Sequence, residues 1–106
     1  MSVTVYNETK TEYYIVSAKM KQVKNSSNFV MVEEDSTSWI SIDYQYNKYQ
    51  WIPNQDLAFR FKSKISALSA ARADVGPWYC MPKPETLRIV KITETRTLVS
   101  EEVDFD

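Results

Sequence analysis

A chain of 106 residues with 43% hydrophobic, 13% aromatic and 25% charged residues is the size and composition of one globular domain with a real core. Its net charge of −1 excludes both a strongly basic nucleic-acid binder and a carboxylate-covered mimic of DNA. With no histidine, one cysteine and one glycine, it cannot build a Ser-His-Asp triad, a Cys-His dyad, a His- or Cys-rich zinc site, a Walker loop or a dinucleotide-binding glycine turn.

Elements follow in chain order from hydrophobic periodicity. Val3 and Val5 suggest a short strand. In "EYYIVSAKM" a second strand places Tyr14, Val16, Ala18 and Met20 on one face and Tyr13, Ile15, Ser17 and Lys19 on the other. The polar run "KQVKNSSN" is a connection, and "FVMV" is a further strand closed by the turn "EEDSTS". "WISIDYQYNKYQW" reads as a hairpin with Ile40, Ile42, Tyr44 and Tyr46 aligned and Asn47-Lys48 at the turn, because Asn tolerates a left-handed backbone. Pro53 ends it. Leu57, Phe59 and Phe61 alternate in a following extended piece.

The spacing then predicts a helix over about 63–75. Ser63 is its N-cap, and Ile65, Leu68, Ala71 and Val75 form a stripe interrupted by Arg72. Gly76 stands where a left-handed terminator is wanted, with Pro77 blocking continuation. Three of the four prolines stiffen "PWYCMPKPE". "TLRIVKIT" is the strongest strand signal, and "RTLVS" is expected to turn back and pair with it. Residues 101–106, "EEVDFD", read as a frayed acidic tail. The fold class is therefore α+β: a single domain over 1–106, with a twisted antiparallel sheet of about five or six strands and one helix on a face.

Charge is unevenly spread. Residues 57–93 carry seven Lys/Arg against two acids, and residues 94–106 carry one Arg against five. The basic stretch either binds something or is neutralised by the tail. The acidic run Glu33–Asp35 lacks the spacing of a calcium loop and reads as a solvated turn. Cys80 has no imidazole to activate it and reads as a bystander thiol, and a lone cysteine fits a reducing compartment. With neither an apolar leader nor a span, a cytoplasmic location is expected, without a membrane partner. No catalytic residue, cofactor or metal is expected.

Two constellations remain. Aromatic residues cluster around the hairpin, where cross-strand packing competes with an exposed interface patch. Basic residues alternate with aromatics through Arg60, Lys62, Lys64, Arg88 and Lys91 to the proline loop, where a solvated face competes with nucleotide or single-strand binding. The candidate contact residues are Tyr46, Tyr49, Trp51, Trp78 and Tyr79, with Arg60 and Lys62 orienting a partner.

The segment "AFRFKSKISA", Ala58–Ala67, leading through the helix to "LRIVKIT", resembles a pattern of small α+β proteins encoded by bacteriophages and mobile elements. In that pattern a strand passes through A-x-R-F-K-S-x-x-x-A into a helix and then a strand. The resemblance covers roughly residues 57–93 and is structural, so it transfers no catalytic residue. It implies a phage-like origin and a protein that acts in a bacterial host by binding and inhibiting a host enzyme or defence factor. The alternative is a small-molecule, nucleotide or single-stranded nucleic-acid binder, and a homo-oligomeric accessory protein is a third possibility.

Overall fold

The computed structural model describes residues 3–77 and 79–104. In chain order the elements are β1 (Thr4–Lys19), β2 (Val23–Lys24), β3 (Val30–Val32), β4 (Thr37–Asp43), β5 (Lys48–Ile52), α1 (Lys64–Arg72) and β6 (Arg88–Glu101). Short 3-10 turns occupy Gln55–Leu57 and Pro84–Thr86. The chain is α+β with antiparallel strands, as its patterning required, but the main sheet has four strands, ordered β5-β4-β1-β6, and β2 and β3 pair separately. The expected count of five or six strands in one sheet is corrected to these two groups. Two pairs of short strands at the chain ends prove to be two long ones.

The first pair is Val3–Val5 and Tyr13–Met20, joined in β1, which runs unbroken for 16 residues. Likewise "LRIVKIT" and "RTLVS" do not fold back on each other; they are consecutive parts of β6, 14 residues long. β1 and β6 lie antiparallel in one uninterrupted register from Thr4↔Glu101 to Ser17↔Arg88. Glu101 therefore closes a strand instead of opening a frayed tail. The amide of Glu102 also donates to the carbonyl of Val3 at 2.8 Å. Phe105 and Asp106 lie outside the described residues.

The core sits at one end of this long ribbon. Val16, Ala18 and Met20, on the β1 face that alternation selects, are buried with Ile40, Trp51, Phe61, Ala67, Ala70 and Val75. Where β4 leaves β1 after Ser17↔Trp39, the extended chain before α1 takes over its edge: Tyr14 and Phe61 exchange both backbone hydrogen bonds at 2.8 Å. Phe61 is thereby pinned at the start of the helix and stacks among aromatic neighbours, 4.8 Å from the Phe59 ring and 5.7 Å from Tyr49.

α1 begins as expected. The Ser63 hydroxyl accepts from the Ser66 amide at 3.1 Å, satisfying a donor that the first turn leaves without an intrahelical partner. Its buried face overlaps the predicted stripe only in part: Ala71 packs against the core, Val75 just beyond the helix is buried, and Leu68 is half-buried. Ala67 and Ala70 point inward, and Ile65 is 76% exposed. Alanines let the helix backbone approach the β1–β6 sheet closely, and the large Phe61 fills the space a bulkier helix residue would otherwise take. The helix ends at Arg72 with Ala73 extended, three residues before Gly76. Gly76 is not its terminator: no glycine has positive φ, and a Cβ there would meet nothing within 4 Å. Gly76 instead bridges Gln50, its carbonyl accepts from the Trp51 amide at 2.9 Å, and its peptide to Pro77 is cis. The left-handed residues are Asn28, Asp35 and Asn47, all in turns. Asn47 closes the β4–β5 turn, which spans Tyr44–Asn47 and carries Tyr44 and Tyr46 out of the strand where alternation had placed them.

Candidate functional site

The seven candidate contact residues do not form one surface. Tyr46, in the β4–β5 turn, is 66% exposed. Tyr49 is half-buried against Phe59 and Phe61, and Trp51 is 4% exposed and belongs to the core. The reason is register: Trp51 opposes Ile40, the most buried position of β4, so its ring must point inward with Ile40. Tyr46 and Tyr49 meet Gly76 and Pro77 along a shallow groove of about 390 Å³. Tyr79 is half-buried just beyond it, and Trp78 lies outside the described residues. Lys62 is exposed.

Arg60 serves another place. Its guanidinium lies 4.5 Å from the centroid of the Tyr13 ring and 3.7 Å from a Glu94 carboxylate oxygen. The Tyr13 hydroxyl donates to the same carboxylate at 2.8 Å, and that bond to an anion, followed by desolvation, raises the phenol pKa. This Tyr13–Glu94–Arg60 cluster clamps the point at which the β1–β6 ribbon leaves the body. Lys91 pairs with Glu12 at 3.3 Å on the opposite face of the ribbon. Part of the basic stretch is thus neutralised within the chain, by Glu94 and Glu12.

Glu34 and Asp35 are occupied as well. Lys83, from the proline loop, bonds both carboxylates, 2.7 Å from Asp35, and the Gln22 amide donates to Glu34 at 2.8 Å. Lys83 holds the Glu34 carboxyl below the usual glutamate range, and the two acids raise the lysine pKa in return. Among the described residues no group of three or more His, Cys, Asp or Glu side chains is placed to hold a metal ion. Burial raises the Cys80 pKa, which keeps the thiol protonated and a poor nucleophile at neutral pH. Cys80 lines a cleft of about 650 Å³ with Lys21, Lys48, Trp51 and Asp74. No helix among the described residues is long and apolar enough to cross a membrane.

The most prominent feature is the distal ribbon. Every residue of Thr4–Glu12 and Thr93–Glu101 is exposed, on both faces. Nine residues of strand extend about 30 Å, and the molecule measures 72 × 30 × 27 Å. Its radius of gyration is 20.2 Å, against about 13 Å for a compact chain of this length. Near the tip the ribbon carries Val5 and Leu98 on one face and Tyr6 and Val99 on the other, all exposed. Between tip and body the faces are threonine and charge. β6 is the last strand of its sheet, so its outer edge offers unpaired backbone donors and acceptors along its length.

Alternation alone missed the ribbon because "NETKTE" and "TETRT" contain no apolar residue to declare a face. Their signal was threonine at every second position, Thr9 and Thr11 in β1 and Thr93, Thr95 and Thr97 in β6, which suits a pleated strand whether or not it is buried. Such an arrangement can add strands or lay an apolar tip on another surface. No protein-family model, no curated protein and no solved structure matches this chain.

Proposed function

We propose that this is a non-enzymatic binding protein that works by protein–protein contact and docks through its exposed β1–β6 ribbon. The carrying observation is the ribbon itself: roughly 30 Å of two-stranded sheet, unsupported on either face, with an apolar tip. A two-stranded ribbon alone is marginally stable in water, so one maintained at this length gains most from being covered. The phage-like resemblance adds the class of activity, inhibition of a host enzyme or defence factor in the cytoplasm. Tyr46 and the proline-loop residue Tyr79 remain candidate secondary contacts, and Trp51 does not. The rival, a nucleotide or single-stranded nucleic-acid binder, draws on Arg60, Lys62, Lys64, Arg88 and Lys91, of which Arg60 and Lys91 are paired with acids of the same chain.

The test is affinity capture of the tagged full chain from nuclease-treated bacterial lysate containing an untagged copy, beside the variant Val5→Lys/Leu98→Lys. A stoichiometric protein, whether host protein or second copy, retained by the wild type and lost by the variant supports the reading. No retained protein, together with a nucleotide that raises the melting temperature, overturns it.

A further inference from the structure

We infer that the occupant of the ribbon is a second copy of this chain, paired edge to edge through β6 about a two-fold axis at Thr95. The inference rests on the reading of the ribbon as a docking element and names its partner.

The first argument is the edge. β6 runs 14 residues at the margin of its sheet with no proline and no break in register against β1. Edge strands are normally protected by charged side chains, prolines, bulges, shortness or a covering element. This one carries charge at Arg88, Lys91, Glu94, Arg96 and Glu101 but, among the described residues, no proline, bulge or covering element, and its β-branched composition favours pairing (Ile89, Val90, Ile92, Val99 and three threonines).

Register supplies the second argument. Alternate residues of an antiparallel strand turn both backbone groups outward, so in a two-fold pair of β6 strands these residues must meet each other. Opposed positions then share parity, and the axis passes through a residue. An axis at Glu94 sets two carboxylates against each other, and one at Arg96 sets two guanidinium groups together. An axis at Thr95 places Glu94 of each copy, which also holds Tyr13 and Arg60 of its own chain, opposite Arg96 of the other, twice over. The same register puts Ile92 opposite Leu98, Thr93 opposite Thr97 and Arg88 opposite Glu102. The axes at Thr93 and Thr97 leave Arg96 facing Val90 or Leu98. Of the axes from Thr93 to Thr97, only the one at Thr95 therefore pairs opposite charges without setting like charges together, as an isologous interface requires. Each apolar tip also comes to lie beside the partner's ribbon base, covering Leu98, which is 56% exposed in the single chain.

Charge agrees, and area sets a bound. Residues 3–12 and 93–106 carry two basic against seven acidic residues, and residues 13–92 carry eleven basic against seven. Antiparallel pairing brings each acidic arm alongside the other copy's basic body. The chain exposes 8189 Å², whereas a folded monomer of this mass exposes about 6,100 Å². The excess, roughly 2,000 Å² per copy, is an upper bound on what pairing covers, since joining β6 edge to edge leaves both faces of the ribbon in water.

The test combines solution mass with register-specific cross-linking of the full chain. By sedimentation equilibrium the wild type is expected at twice the single-chain mass. Arg96→Glu and Glu94→Arg, each alone, set like charges across the axis and are expected to raise the dimer Kd about 10- to 100-fold. Mixing these two variants restores Glu–Arg pairs at both positions and is expected to return a heterodimer, which a merely unfolded variant would not. In a Cys80→Ser background, Thr95→Cys is expected to form an intermolecular disulfide, because opposed strand residues lie within bonding reach. Thr93→Cys and Thr97→Cys should each fail alone and cross-link when mixed. A wild type that remains at single-chain mass at its highest soluble concentration overturns the inference, as does cross-linking through Thr93→Cys alone with none through Thr95→Cys. If the wild type is monomeric and a different protein is captured in a Val5- and Leu98-dependent way, the ribbon still docks but its occupant is not a second copy. If neither association occurs, both readings fall.

Discussion

Replacing Phe61 by alanine removes the side chain that joins helix to sheet. Phe61 is 2% exposed, with the Phe59 ring at 4.8 Å and the Tyr49 ring at 5.7 Å. Its two backbone hydrogen bonds to Tyr14 survive the change, so the loss is confined to buried area and the cavity left behind. Burying or removing an aromatic side chain of this kind is worth about 3–5 kcal/mol. Because the distal ribbon contributes little burial, stability resides in about 80 body residues, roughly 4–12 kcal/mol in all. Phe61→Ala therefore removes a quarter or more of the total and leaves a marginal fold. Ile65→Ala, on the outer face of α1, should cost about 0.5 kcal/mol or less. Urea unfolding followed by tryptophan fluorescence reads both. A Phe61→Ala loss under about 1.5 kcal/mol at unchanged slope, or an equal loss for Ile65→Ala, would refute this packing of the helix.

Trp51→Ala should destabilise the free protein by about 3–5 kcal/mol, and Tyr46→Ala should change stability by less than about 0.5 kcal/mol; thermal melts of both variants without any partner compare them. Ser63→Ala should cost about 1 kcal/mol through the lost cap, with circular dichroism showing a frayed helix start; an unchanged melting temperature would remove Ser63 from that role. For the Lys83 clamp the sign follows from both partners. The depressed Glu34 pKa means that its contribution is complete above the ordinary glutamate range and is lost as pH falls through the lower folded value. The raised Lys83 pKa means that its contribution is complete below the ordinary lysine range and is lost only at strongly alkaline pH. The melting-temperature gap between wild type and Lys83→Met should thus be widest around neutrality and close on acidification, and a gap constant from neutral to acid would contradict the clamp.

Much of the fold was legible where a segment carries its own instruction. The Ser63 cap and the alanine run specify a helix start locally. Asn47 marks its turn because few residues tolerate positive φ. The alternation Tyr14, Val16, Ala18, Met20 named the buried face because one face of a strand must be apolar to join a core. The candidate site was less legible. Tyr49 and Trp51 look alike as aromatic strand residues, and only the opposing Ile40 and the Phe59–Phe61 segment send them inward.

The sequence by itself thus determined the α+β class, the helix and its first residue, the apolar face of β1, and the lack of residues for most catalytic chemistry. Tertiary structure decided that β1 and β6 each continue through polar segments, since a threonine-and-charge strand gains its regularity from the partner it pairs with and not from its own pattern. It also decided which helix face is buried: Ala67 and Ala70 join the core with Phe61, which is anchored by Tyr14, while Ile65 faces out. Local chemistry sets what a segment can become, and pairing and volume, which join residues more than 80 positions apart such as Tyr13 and Glu94, set what it becomes.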